Sequence, residues 1–73
     1  MTKYRMMTGM IEDIIEAMNE ENPNLAKGRF HKLCGMVFAA AMLDAISAEE
    51  LLFYHYIEDL IYDEFVENHI YVY

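Results

Sequence analysis

The residues best suited to chemistry lie in two places. His55-x-x-Glu58, followed by Asp59, puts an imidazole and carboxylates on adjoining helical turns, and His69 stands two residues beyond Glu67. That set could begin a metal site, which needs three or four converging ligands. Di-metal bundles use Glu-x-x-His, in that order and on two helices; this chain has one instance, reversed. Cys34 has His31 three residues before it, a spacing that could pair a thiol with a base. No third orienting group accompanies the pair, and Cys34 opens on an apolar run, which points to a structural thiol. There is no phosphate loop, nucleotide fingerprint or Ser-His-Asp spacing. The sequence therefore favours a protein that is not an enzyme, with no cofactor and no metal.

Charge is the stronger signal. The net charge is −8, and it is placed unevenly. All five basic residues (Lys3, Arg5, Lys27, Arg29, Lys32) lie in the first 32 positions, balanced by Glu12, Asp13, Glu16, Glu20 and Glu21. From Leu33 onward there are eight acids and no Lys or Arg. Direct nucleic-acid binding is disfavoured, because phosphates would be repelled. The basic group Lys27, Arg29, His31 and Lys32 is expected to pair with acids of the first helix or with a partner subunit. A basic protein surface is the natural complement of the C-terminal half.

These residues need elements to hold them. Leu33 to Leu43 is apolar throughout, eleven residues with no charge. As a helix it would span roughly 16 Å, too short for a bilayer. A helix apolar on every side is expected to be buried on every side, part of it against a second copy or a partner. Before it, Tyr4, Met7, Ile11, Ile14 and Met18, with Met10 and Ile15, recur at helical spacing and predict a first helix over about 3–20. Asn22 as N-cap with Pro23 at the first helical position predicts a second helix over 23–45. Ser47-Ala48-Glu49-Glu50 is a capping box, flanked by Ile46 and Leu51 in staple positions. It starts a third helix over 48–67, with Phe53, Ile57, Leu60, Ile61 and Phe65 expected in the core. His69 to Tyr73, β-branched and aromatic, reads as a short extended tail.

The expectation is an all-α fold: one compact three-helix domain of residues 1–73, with the tail at its end. It is expected to be dimeric through Met36, Val37, Ala40, Leu43, Ile70 and Val72. One cysteine excludes a disulfide framework within the chain, and no signal peptide or membrane span is evident, so a cytoplasmic setting is expected.

On the third helix the acids recur at four-residue steps, about 6 Å apart, with tyrosines among them. This is a line of negative charge comparable in density to one nucleic-acid strand. The residues expected to meet a partner are Tyr56, Glu58, Asp59, Tyr62, Asp63 and Glu67. In size and charge the chain resembles the small, acidic, phage-encoded inhibitors that occupy the DNA-binding surface of a host protein, inhibitors of the bacterial sliding clamp among them. The resemblance covers overall character and no diagnostic motif, so no residue roles carry over. It implies a DNA mimic acting in the host cytoplasm, with the basic surface of a DNA-binding protein as partner. The alternative is a helical adaptor or antitoxin-like subunit that binds through its apolar second helix.

Overall fold

The structure is a computed structural model that describes residues 3–71. Val72 and Tyr73 of the expected tail, and the side chain of Tyr4, lie outside the described residues. The described chain is helical, with no strand. It contains α1 (Lys3–Asn19), α2 (Pro23–Met42) and α3 (Ala48–Glu67). The chain divides between Leu33 and Cys34 into two compact units.

The first unit holds α1 and the N-terminal part of α2. Met7, Ile14 and Ala17 are buried on α1, and Ala26, Phe30 and Leu33 on α2. Both sets keep helical spacing, which gives each helix one buried stripe. Glu12, Glu16 and Glu20 are exposed, as their spacing predicts. Ile15, expected in the apolar stripe, is exposed instead. One residue beyond Ile14, it lies about 100° around the helix from the buried face. At the start of α2 the Leu25 amide donates to Asn22 Oδ1 at 3.2 Å. Asn22 is thus the N-cap expected in front of Pro23.

The second unit holds the rest of α2, the loop after it, and α3. Its buried residues are Val37, Ile46, Tyr54, Ile61 and Phe65. Full burial of an apolar side chain of this size is worth about 1.5–3 kcal/mol. Both hydrogen bonds of the capping box form: the Glu50 amide donates to Ser47 Oγ at 3.1 Å, and the Ser47 amide to Glu50 Oε1 at 3.0 Å. Ile46 is buried beside the cap, in keeping with a staple.

Each helix stops in the same way. Glu21, Asp44 and His69 have φ of 56°, 54° and 59°. In α1 the Glu21 amide donates to Met18 O and the Asn22 amide to Ala17 O. In α2 Asp44 donates to Ala41 O and Ala45 to Ala40 O. In α3 His69 donates to Val66 O and Ile70 to Phe65 O. These are three Schellman endings, each with a non-glycine residue in the left-handed position where glycine is usual. They explain why α2 ends at Met42 and not at Ala45: with Asp44 left-handed the helix cannot continue. His69 accordingly closes a turn and does not begin an extended segment.

The apolar run 33–43 is not buried all round. Leu33 and Val37 are buried, but Phe38, Met42 and Leu43 are 67%, 70% and 79% exposed. No helix among the described residues is long and apolar enough to cross a membrane.

Candidate interaction surface on the third helix

Core contacts set the rotation of α3. Tyr54, Ile61 and Phe65 are buried, so the face opposite them is turned outward. At about 100° per residue, Leu52, Tyr56, Leu60, Asp63 and Glu67 share that outward arc. All five are exposed. Phe53, Asp59 and Glu64 flank it and are exposed too. The surface is therefore mixed, with Glu49 and then large apolar side chains toward the N-terminal end and further carboxylates toward the C-terminal end.

Of the six residues expected to meet a partner, Tyr56, Asp59, Tyr62, Asp63 and Glu67 are exposed on α3. Glu58 is not: its side chain is only 14% exposed, and its Oε2 lies 3.2 Å from His55 Nδ1. The core assignment is corrected at three positions. Tyr54, which is not in the expected core set, is buried, and Phe53 and Leu60 are exposed where core residues were expected. The apolar residues of this helix fit two stripes one residue apart, 53-57-60 and 54-61-65. Periodicity alone does not choose between them. Phe53 and Tyr54 meet edge to face, ring centroids 5.6 Å apart. Leu52, outside the expected set, is a further exposed apolar residue on this surface. The signal was available in the four-residue step from Leu52 to Tyr56 to Leu60.

The chemically suggestive residues are differently arranged from their expected pairing. Cys34 is half-buried and falls in the same unit as Glu58. Burial, and then the negative charge of Glu58, push the Cys34 thiol up to about 11. A nucleophilic cysteine needs the opposite shift. Glu58 Oε1 is buried without a formed hydrogen bond. His31 is exposed and lies beside Phe30, centroids 6.2 Å apart. Among the described residues no group of three or more His, Cys, Asp and Glu is placed to hold a metal ion. In the first unit, Met10, Asp13, Arg29 and Lys32 line a shallow cleft. There Arg29 Nη1 donates to the backbone carbonyl of Asp13, where pairing with an acidic side chain was expected.

The residues expected at a dimer contact are also dispersed. Leu43 is exposed, Met36, Ala40 and Ile70 are half-buried, and Val72 lies outside the described residues. Val37 is 1% exposed, so its side chain is already used within the chain and has nothing left to offer a second copy. The large apolar side chains exposed toward the C-terminal end of α2 are instead Phe38 and Met42, and Gly28 and Gly35 are open to their surroundings, since a Cβ at either would meet nothing within 4 Å. No family model, no curated protein and no solved structure matches the chain.

Proposed function

We propose that the chain is a non-enzymatic binding protein that sets the acidic face of α3 against a basic, DNA-binding surface of another protein, as a DNA mimic. The supporting observation is the exposure of Asp59, Asp63, Glu64 and Glu67 along one helix, in a chain with no Lys or Arg after Lys32. Carboxylates on a rigid helix keep a fixed spacing, and fixed charge of one sign steers association with the opposite sign. Tyr56 and Tyr62 beside them are of the residue type favoured as interface anchors. The biological setting proposed is that of a phage-type inhibitor in a host cytoplasm, with a sliding clamp as one candidate target. The test is competition: a partner captured from a host lysate is offered DNA and this protein together. The protein should displace DNA and should not itself bind DNA. Asp59→Lys with Asp63→Lys should slow association and weaken binding while the fold survives, and higher salt should do the same. Simultaneous binding of DNA and this protein, or unaltered binding by the reversed variant, would reject the mimic.

A second reading is favoured by Phe38, Met42 and Leu43, all exposed at the end of α2. They suit a helical adaptor or antitoxin-like subunit, or self-association into a dimer of formal charge 2 × −8 = −16. Sedimentation decides this point. A dimer that Met42→Glu converts to folded monomer uses that face for a second copy, whereas a wild-type monomer leaves it for a different partner.

A further inference from the structure

We propose that α3 docks through Leu52, Tyr56 and Leu60 into an apolar, helix-accepting groove of its partner, and that the rim of that groove carries Lys or Arg. The proposal rests on the reading that α3 meets a basic protein surface, and it adds what kind of surface that is. A stretch of basic residues alone would suit the acids of α3 but leave its apolar residues facing water.

The three apolar residues follow at steps of four and are 69%, 61% and 45% exposed. From Leu52 to Leu60 the row is about 12 Å long, and at 100° per residue it covers an arc of about 80°. Apolar anchors on successive turns of one helix face are the kind of pattern that a groove reads. Glu49, Asp63 and Glu67 fall inside the same arc, and all three are exposed. The row is thus closed at both ends by carboxylates.

Charge chooses the occupant. An antiparallel second copy of α3 centred on Tyr56 would set Leu52 against Leu60, which is favourable. The same alignment sets Glu49 against Asp63 at both ends, and like charges in direct opposition are destabilising. A parallel copy would set each acid against itself. Nucleic acid is repelled outright. Pairing of α3 with a second α3 is thus disfavoured, and the carboxylates at both ends of the row suit a protein groove, apolar at its centre and cationic at its rim. Its centre supplies affinity through buried anchors, and its rim supplies steering.

The probe is a fluorescein-labelled 18-residue amphipathic helix of Leu and Lys, with oligolysine of equal charge as control. The full chain is titrated into each at 0.15 M NaCl and followed by anisotropy. The Leu/Lys peptide should bind at least tenfold more tightly than oligolysine. Leu52→Ser with Leu60→Ser should remove that tenfold advantage, leave oligolysine binding unchanged and leave the helical circular dichroism intact. Tyr56→Ser serves as an independent variant should the double change disturb the fold. Equal binding of the two peptides, or a Leu/Lys affinity unchanged in the serine variants, would overturn apolar docking through this row. Either result would leave the charge-based mimic standing, because that reading is tested separately by DNA competition. A wild-type dimer that the serine variants dissociate would also overturn it, by giving the row to a second copy.

Discussion

If the acids at the end of α3 serve a partner, they should cost the free protein stability, and Glu67→Lys tests this. The C-terminal end of a helix carries about half a negative charge, so anions there are unfavourable and cations favourable. Asp63, Glu64 and Glu67 crowd the end of α3, and its last turn holds no basic residue. Glu67 is the last residue of the helix and is exposed. Each such charge is worth about 0.3–1 kcal/mol. Reversal removes one unfavourable interaction and supplies a favourable one, so about 1 kcal/mol of stabilisation is expected from the same source. In a domain this small, that corresponds to a rise in Tm of about 4–8 °C. Thermal melts by circular dichroism at 0.02 M and 1 M NaCl read it directly. The gain should be large at low salt and mostly gone at 1 M, where the Debye length is about 3 Å. Partner binding should move the opposite way, weakening as stability rises. An unchanged or lowered Tm at low salt would refute the electrostatic reasoning, and an equal gain at both salts would show that the effect is not one of charge.

Three further outcomes follow from particular contacts. Ser47→Ala removes the acceptor for the Glu50 amide and should cost about 0.5–2 kcal/mol, measured by urea denaturation. Asp44→Gly relieves a left-handed residue at φ 54°, a conformation that costs about 1–2 kcal/mol; after the added freedom of glycine in the unfolded chain, about 0.4–1 kcal/mol, a small net stabilisation should remain in the same assay. The Cys34 thiol, raised from 9.0 to about 11, should react with iodoacetamide at pH 8 more slowly than a free cysteine, and Glu58→Gln should speed it. Because the folded value lies above the unfolded one, the thiol's contribution to stability is complete below pH 9 and is lost as pH rises through 11.

Local chemistry was the most readable level of this sequence. Asn22 before Pro23 and the Ser47–Glu50 box act within one turn, so their residue types suffice to place two helix starts. The helix ends were less readable because none uses glycine. Asp and His adopt the left-handed region more readily than most residues but far less diagnostically than glycine, so the spacing alone reads the second helix on to Ala45. The rotation of α3 was harder still. With hydrophobes at 51–54, 56–57, 60–62 and 65–66, no single stripe stands out. Only packing shows that Tyr54 turns inward, and that Phe53 and Leu60 turn outward. The charged part of the candidate surface was legible because carboxylates are rarely buried. Glu58 departs from that rule by reaching His55.

The rotation of α3 bears on the proposed binding as well as on folding. Had Phe53, Ile57 and Leu60 been the core stripe, the outward side would have been acids and tyrosines, a charged surface alone. With Tyr54, Ile61 and Phe65 inside, Leu52, Tyr56 and Leu60 stand on the same arc as Asp63 and Glu67. A purely charged face gives fast encounter but little residence time, because exposed ion pairs contribute at most about 1 kcal/mol each. Apolar side chains of this size that become fully buried contribute about 1.5–3 kcal/mol each and act mainly on dissociation. The two ends of α3 therefore suit two different rates. Neutralising Asp63 and Glu67 should slow association and flatten its salt dependence, whereas truncating Leu52 and Leu60 should speed dissociation with little change in association.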